Sequence, residues 1–488
     1  MGDGPDIAKL LLEQGVNVRT FERGYNVPYP GGAIHWLNND ILLGIFHSYR
    51  LDEKNGWNVR LGWRSLSQVC QRWRHLIYEC SSYLGMHIKC TNGSPMVNAL
   101  DHLPLLPLFV YYSFAPTVPI REQDDLRIYH TLRLRGRIRH IELSLPPSTL
   151  HEALALMDET FPILEHLYLS GSFSSDSGHR LPLTLPNAFL APHLRHLTLC
   201  DIGLPGLRAL ASTVSLVTLT LRNIQTSSYF RPRFLVARLG SLPLLEELTI
   251  TFSIPIPRPS TESKLLGEKG APITLPSLKN VWFHGVGTYL ESFVAQIRVP
   301  LLEKLDIRLF NQIAFMLPHL FHLINNTGVF KLSKAIIDFS QREVGVSILH
   351  GLGRTAFSLG VRCKPLDWQI DCAAQICDAL IPTLSGVEEL LLLAIGHEEI
   401  PTDMRNGTID SATWHDLLRT FIGVKKIGIY NGPGLTEEVS RALQVNEVGL
   451  DPEFLPNLRS ICASENQFIS FIDTRQVVGR PVQFQAAR

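Results

Sequence analysis

The residues most capable of chemistry here are histidines beside acidic side chains, and their spacing decides what they can do. His151-Glu152 begins like the HExxH motif, which needs two histidines on one helix face to hold zinc, but Ala155 stands where the second histidine belongs. His397-Glu398-Glu399 is an acidic run typical of a solvated loop. The sequence also lacks a GxxxxGK[ST] loop, a GxSxG motif and a GxGxxG fingerprint. We therefore expect no enzymatic active site, no metal centre and no cofactor.

The cysteines do not form a metal-binding or disulfide pattern. Cys70, Cys80 and Cys90 are ten residues apart, but no histidine pair follows at zinc-finger spacing. Cys372 and Cys377 have no second pair to complete a site. Free cysteine usually behaves as a small buried apolar residue, so we expect reduced and mostly buried thiols.

The composition is that of a globular protein with no net charge, so its overall charge gives no indication of its partner. The 488 residues are 45% hydrophobic and 18% charged, and 45 Lys and Arg balance 45 Asp and Glu. A neutral chain has no electrostatic reason to bind nucleic acid or an anionic membrane. The apolar runs are too short to span a bilayer, and the N-terminus does not read as a secretory leader. We expect an intracellular protein, cytoplasmic or nuclear.

A repeated sequence pattern predicts the secondary-structure elements that would position any functional side chain. The pattern P-x-L-x-x-L-x-L, with apolar substitutions, recurs nine times, the last three copies being weaker. The copies cover residues 161–169, 191–199, 216–221, 242–250, 275–283, 299–307, 387–392, 424–429 and 455–461.

Each copy predicts a short strand, because the L-x-L ending has a period of two and puts both leucines on one face. Helical patterns such as 150–157 and 290–297 lie between copies. Strand, turn, helix and return are the logic of a leucine-rich repeat, with parallel strands on the concave face and helices on the convex one. The spacing is irregular, from 22 residues (Leu197 to Leu219) to 33 (Leu248 to Val281). Scattered strands of an ordinary α/β protein are the alternative interpretation.

A separate helical block precedes the repeats. Asn38 or Asn39 can cap a helix whose apolar face begins at Ile41 and Leu42. A second helix is predicted over Leu66–Ile77. So small a module cannot hide all its Leu, Ile and Trp, so the block is a candidate for docking a partner.

The domain plan follows from these patterns. We expect an N-terminal extension (1–32), a helical module (33–80), a connecting segment (81–135), a repeat region (136–474) and a C-terminal tail (475–488). Alternating prolines between residues 253 and 273 predict a surface loop at the edge of the repeats.

The helical block resembles an F-box. The resemblance rests on residues 37–46 and on residues 66–77, where V-C-x-x-W-R-x-L-I is the specific half. The usual Leu-Pro of the family reads Leu37-Asn38 here. Further landmarks at 57–63, 102–104, 366–369 and 455–458 are similar to the F-box proteins of basidiomycete fungi, a likeness that covers about residues 34–484.

The resemblance implies an α/β protein: a small all-α F-box module followed by an irregular leucine-rich-repeat-like solenoid. It implies a substrate-recognition subunit that binds the Skp-type adaptor of a cullin–RING ubiquitin ligase and holds an unknown protein substrate on the repeats. The chain itself would perform no covalent chemistry; it would raise the concentration of target lysines near the conjugating enzyme.

Two sets of residues carry these expectations. The predicted adaptor contacts are Leu37, Asn38, Ile41, Leu42, Ile45, Val69, Trp73 and Leu76, some of which must instead form the core of the module. The predicted substrate contacts are the side chains between the strand leucines, namely His166, Tyr168, His196, Thr198, Thr218, Thr220, Glu247, Thr249, Asn280, Trp282, Lys304 and Asp306.

A second hypothesis from another class stays open. The chain could be a non-catalytic leucine-rich-repeat scaffold whose F-box-like helices only cap the solenoid, since terminal repeats need a cover. That hypothesis predicts no adaptor binding, and unfolding of the repeats when residues 1–80 are deleted.

Overall fold

The computed structural model describes residues 37–52, 62–80, 88–91, 106–113, 122–171, 183–203, 213–256, 272–310, 317–326, 332–350, 355–363, 366–395, 411–430, 433–445, 454–464 and 467–486. The expected extension (1–32) and most of the proline-rich loop lie outside these residues. The chain divides into two compact units, residues 1–142 and 143–488.

The described part of the first unit holds helices and one parallel pair of strands. Its elements are α1 (Asn39–Asp52), α2 (Gly62–Val69), α3 (Gln71–Glu79), β1 (Ile88–Thr91), β2 (Leu108–Ser113), α4 (Glu122–Arg133) and a 3-10 turn (Arg135–Arg137). Asn38 is the N-cap of α1, because its Oδ1 accepts the N–H of Ile41 at 2.8 Å. The prediction of an asparagine cap is confirmed.

The single helix expected over Leu66–Ile77 is wrong, since the structure has two helices that meet at Cys70. Cys70 is extended (φ −158°), and its Sγ accepts the N–H of Trp73 at 3.4 Å. The thiol therefore caps α3. The apolar intervals on either side of Cys70 fit one helix equally well, so the period alone could not reveal the break.

The second unit alternates strands with helices along most of its length. Strand β3 (Ile138–Leu145) crosses the boundary, and the strands that follow it are β4 (His166–Gly171), β5 (His196–Cys200), β6 (Thr218–Ile224), β7 (Glu247–Phe252), β8 (Ile273–Thr274), β9 (Asn280–Gly285), β10 (Ile297–Arg298), β11 (Lys304–Leu309), β12 (Leu332–Ser340), β13 (Glu343–His350), β14 (Thr355–Arg362), β15 (Glu389–Ile395), β16 (Lys426–Tyr430), β17 (Ser460–Ala463) and β18 (Gln483–Ala486). The helices are α5 (Pro147–Ala155), α6 (Pro232–Leu239), α7 (Gly287–Val294), α8 (Pro318–Asn326), α9 (Leu366–Ala379), α10 (Ile381–Leu384), α11 (Ser411–Arg419), α12 (Pro433–Val445) and α13 (Ile469–Val477), with a 3-10 turn at Thr226–Ser228.

Thirteen of these strands form one mostly parallel sheet. Their order is β4-β5-β6-β7-β9-β11-β14-β13-β12-β15-β16-β17-β18, while β8 and β10 pair separately. The L-x-L side chains of every predicted copy are buried. The turns before the strands also repeat: the carbonyl of Glu165 accepts N–H bonds from Arg195 and His196, and the carbonyl of Arg195 accepts those of Val217 and Thr218. The chain is a repeat-like α/β protein.

One segment departs from the parallel pattern. Strands β12, β13 and β14 form an antiparallel meander that enters the sheet in reverse order, so that β14 pairs with β11 and β12 pairs with β15. Only two residues separate β12 from β13 and four separate β13 from β14, too few for the helix that a parallel crossover needs. The sequence patterns did not predict this meander.

Described helices pack against one face of the sheet; the opposite face, whose side chains are half-buried or exposed in the described strands, is called the uncovered face. Helices α7, α9 and α12 pack against β9, β13 and β16. In β4, β7 and β9 the side chains alternate between buried and half-buried along the strand. The leucines therefore fill the layer under the helices, and the residues between them lie on the uncovered face.

The expected tail (475–488) is instead part of the fold. Arg475 lies in the last turn of α13 with its guanidinium buried, where it donates to the carbonyls of Phe454 and Leu455 at 3.3 and 2.9 Å. Strand β18 then pairs in parallel with β17. Four residues are too few for a strand period to stand out in the sequence.

Candidate functional site

The predicted substrate contacts lie in two straight rows across the uncovered face. The strand register puts His166, His196, Thr218, Glu247, Asn280 and Lys304 in the first row. The second row, two residues further along each strand, holds Tyr168, Thr198, Thr220, Thr249, Trp282 and Asp306. The structure thus brings all twelve residues together. Thr220 is only 6% exposed and contributes little surface.

Side chains of the first row contact one another from strand to strand. The rings of His166 and His196 stack with centroids 4.1 Å apart, and Nδ1 of His196 lies 3.2 Å from Oγ1 of Thr218. Nδ2 of Asn280 donates to Oε1 of Glu247 at 3.3 Å. These contacts restrict rotamers before any partner arrives, which lowers the entropy cost of binding.

In the second row, small threonine side chains lie between two large aromatic side chains. Three threonines separate Tyr168 on β4 from Trp282 on β9, four strand spacings or about 19 Å away. The Nζ of Lys304 lies 5.3 Å from the centroid of the Trp282 ring, a cation–π contact. In the first row, burial and then the charge of Arg195 lower the pKa of His196, so this side chain is uncharged at neutral pH. The surface between Tyr168 and Trp282 has no dominant charge.

The turns before the strands form a second feature of the repeats. A groove of about 460 Å³ runs along four of them and is lined by Ile163, Glu165, His193, Arg195, Ser215, Val217 and Leu244. Further along the same row of turns, Nζ of Lys279 lies 2.9 Å from Glu246. Both partners are partly exposed, so this ion pair adds little stability.

The predicted adaptor contacts separate into core and surface. Leu37, Leu42, Ile45, Trp73 and Leu76 are buried within the first unit, and the Trp73 ring meets that of Phe46 edge to face at 4.8 Å. By contrast, Ile41 is 41% exposed, Val69 is 51% exposed and Asn38 is exposed. Only the last three offer side chains to a partner without rearrangement.

The interpretation of the sequence missed Arg72, which joins the first and third helices. Its Nη2 donates to the carbonyl of Leu37 at 2.6 Å and to Oδ1 of Asn39 at 2.8 Å. The guanidinium thereby holds the start of α1 against the start of α3. An arginine directly before a core tryptophan was the available signal, but the pattern alone does not say which carbonyl it reaches.

A third row on the uncovered face was also missed. It lies two residues beyond the second row and includes His284 and Arg308 at the ends of β9 and β11. Arg362 ends the neighbouring β14, where it lies opposite Glu343 of β13. The alternation of buried and exposed side chains in β11 continues as far as Arg308. The L-x-L pattern ends before this residue, so it did not single Arg308 out.

The described residues contain neither a metal-binding cluster nor a membrane-spanning helix. In these ranges no three His, Cys, Asp or Glu side chains are arranged to hold a metal ion. His397-Glu398-Glu399 lies outside the described residues. Among the described helices, none has the length and apolar character that crossing a membrane requires.

In comparisons with known proteins, no family model matches the chain and no curated protein matches it. The fold class therefore stands on the sheet and its repeats. The F-box resemblance of residues 37–77 stays a prediction.

Proposed function

We propose that this chain is the substrate-recognition subunit of a cullin–RING ubiquitin ligase, in which the helices of the first unit bind a Skp-type adaptor and the uncovered sheet face binds a protein substrate. One observation carries the proposal. Ile41 and Val69 expose apolar surface on helices whose other apolar anchors, such as Trp73, are buried. Exposed apolar side chains beside a filled core are typical of a docking surface.

The repeat region supports the second half of the proposal. Its uncovered face offers two ordered rows of mixed aromatic, polar and charged side chains. Interfaces that recognise proteins are enriched in Tyr and Trp and carry a polar rim. We therefore assign the rows from His166 to Lys304 and from Tyr168 to Asp306 to a protein substrate.

The experiment that tests the proposal uses the full chain co-expressed with a Skp-type adaptor. We expect I41D combined with V69D to weaken adaptor binding at least about tenfold, since charges replace exposed apolar contacts. Binding is measured by co-purification and calorimetry, and circular dichroism checks that the fold is kept.

The matched control is V214D combined with I422D, which changes two apolar residues of similar exposure in the second unit. This variant should bind the adaptor like the wild type. Trp73→Ala is unsuitable, because it would empty the core of the helices rather than alter their surface. Undiminished adaptor binding by a folded I41D/V69D variant would contradict the proposal, and so would a wild-type chain that does not bind.

A further inference from the structure

Strand β18 lies at one end of the strand order of the main sheet. It pairs in parallel with β17, and among the described strands none pairs with its other edge. The N–H of Gln483 donates to the carbonyl of Arg459 at 2.9 Å, so the backbone groups of Gln483 point towards β17. Because these groups alternate in direction along a strand, the N–H and C=O groups of Phe484 and Ala486 point outward. The open edge therefore offers hydrogen-bonding groups to a further strand.

The apolar core of the repeats is also partly open at this edge. One row of core side chains ends at Phe484, and the residues before it on successive strands are Leu390, Ile427 and Ile461. Those three side chains are at most 1% exposed, whereas Phe484 is only half-buried. The end of a repeat array needs a cover, because its last unit is packed on one side only. Phe484 is thus a core residue that a further strand would bury.

The edge strand has little protection against pairing. Monomeric proteins commonly place charged side chains, proline or a bulge in an edge strand. The four residues of β18, Gln483–Ala486, are uncharged and include no proline. Their register with β17 advances one residue at a time, so β18 has no bulge. Its shortness should limit the affinity of a partner strand without preventing pairing.

The geometry of β18 suits a second copy of the same strand. An antiparallel pair with a two-fold axis at Phe484 would place this residue opposite Phe484 of the other copy. Directly opposite residues of an antiparallel pair exchange both N–H···O bonds when their backbone groups point towards each other, as those of Phe484 would. The two Phe484 rings would then meet on the core face, where cross-strand aromatic pairs stabilise a sheet.

The other face of the strand is compatible with the same register. There Gln483 of each copy would lie opposite Gln485 of the other copy. Both side chains are exposed, and an amide group can donate and accept, so each Gln–Gln pair can form its own hydrogen bonds. No charge on β18 would repel the same strand of another copy. Backbone hydrogen bonds, side-chain pairs and charge therefore favour one register.

We propose that two copies of this chain associate through β18, in an antiparallel two-fold pair centred on Phe484. The two sheets then continue into each other, and a two-fold axis perpendicular to them leaves both uncovered faces on the same side. Such a dimer presents two sets of the candidate substrate rows, which raises the effective concentration of the second site for a partner with two binding segments. The inference goes beyond the ligase assignment and does not depend on it.

The test is sedimentation velocity of the full chain in the absence of adaptor, over a series of concentrations. A contact between two four-residue strands is small, so we expect a weak dimer with a dissociation constant of about 10–100 µM. The series extends to about 500 µM, above this range. Q483K combined with Q485K should weaken the dimer at least about tenfold, because each pair of opposite residues would then consist of two lysines.

The matched control is Q483K combined with Q485E. It changes the same two exposed positions but places a lysine opposite a glutamate, so it should dimerise at least as well as the wild type. The difference between the two variants should shrink as salt is added. A486P is a second test, because it removes an outward N–H without removing a bond to β17, and it should also weaken the dimer about tenfold. Unfolding curves for all variants check that the fold is kept.

Three results would overturn the inference: a wild-type chain that stays monomeric over the whole series, undiminished dimerisation of folded Q483K/Q485K or A486P, or an equal loss in Q483K/Q485K and Q483K/Q485E. The last result would mean that the two glutamines do not lie opposite each other. A chain that binds the adaptor but stays monomeric refutes this inference alone. A chain that dimerises through β18 but does not bind the adaptor refutes only the ligase assignment.

Discussion

Charged side chains of the same residue type are buried at some positions of this protein and exposed at others, and their neighbours determine which role they have. Arg475 is buried and donates to two backbone carbonyls, whereas Arg362 is exposed and rests on an aromatic ring. Glu343 is partly exposed and lies near Arg308, whereas Glu291 on α7 is buried. A buried charged group persists only where hydrogen bonds replace the water that it loses. The buried members therefore support the fold, and the exposed ones are available to partners.

We predict that Glu291→Ala will destabilise the N-terminus of helix α8. The Glu291 carboxylate accepts the N–H groups of His319 at 2.6 Å and Leu320 at 3.2 Å, so it caps α8 from the neighbouring helix. Removing it leaves these donors without their acceptor, at a cost of about 1–3 kcal/mol. Hydrogen exchange of peptides covering α8 should become faster. E291Q, which keeps one acceptor oxygen, should lie between the wild type and E291A, and unchanged exchange in E291A would contradict the prediction.

The same residue predicts a pH dependence. Burial raises the pKa of the Glu291 carboxyl above its ordinary value of 4.5, although the two N–H bonds oppose the shift. The folded protein then holds this proton more tightly than the unfolded chain, so stability falls as the pH rises from about 4.5 through the folded pKa. Urea midpoints at a series of pH values should show this slope in the wild type and a shallower one in E291Q. Identical slopes would contradict the assignment.

At the scale of the element, the turns before the strands use a common device. Ser277 donates its hydroxyl to the carbonyl of Pro243 at 2.8 Å, and Asn457 donates its amide to the carbonyl of Ile422 at 2.9 Å. Each bond links a turn to the one before it. Gly423 occupies the equivalent place in another turn, where the carbonyl of Ser385 comes so close that a side chain would collide with it. These three turns therefore stack on the preceding turn either through a side-chain donor or through a glycine.

We predict that Gly423→Ala destabilises the region around β15 and β16 by about 1–3 kcal/mol, because its methyl group would strike the Ser385 carbonyl and separate the two turns. Hydrogen exchange of peptides over residues 384–395 and 421–430 measures the effect. Gly44→Ala in α1 is the control, since open space surrounds Gly44 and alanine favours helix by about 0.5–1 kcal/mol. If both substitutions proved harmless, the stacked-turn account would be wrong.

At the scale of the whole molecule, the second unit contains its own repeating core. Every L-x-L copy lies between residues 161 and 463, and its leucines are buried within that unit. Stability in such arrays is close to a sum over repeats and their nearest neighbours. The helices α1–α3 belong to the other unit, and the proposed function gives them docking rather than capping as their role.

Deletion of residues 1–80 should therefore leave the thermal midpoint of the repeats within about 2 °C of the wild type, a shift smaller than that of a typical single mutation. Differential scanning calorimetry of the shortened chain measures this. The capping hypothesis expects the opposite, a fall of about 10 °C or more with loss of the cooperative transition. Such a fall would favour a scaffold protein whose helices protect the end of the array.

Much of the site could be predicted from the sequence because strand pattern is local. The period of two in residues 166–169 and 280–283 places apolar side chains on one face and the candidate contacts on the other, whatever the rest of the chain does. The asparagine cap of α1 is likewise a property of a few adjacent residues. These features follow from geometry over one turn or one strand.

The remainder depends on which distant segments meet. The local sequence pattern was enough to predict the L-x-L strands, the buried leucines and the two rows of contacts between them. The three-dimensional packing was needed to show that Trp73 is core while Ile41 is surface, that β12–β14 enter the sheet in reverse, and that Arg308 of β11 lies near Glu343 of β13. Burial and charge pairing are set by neighbours tens of residues away in the chain, and a local period contains no information about them.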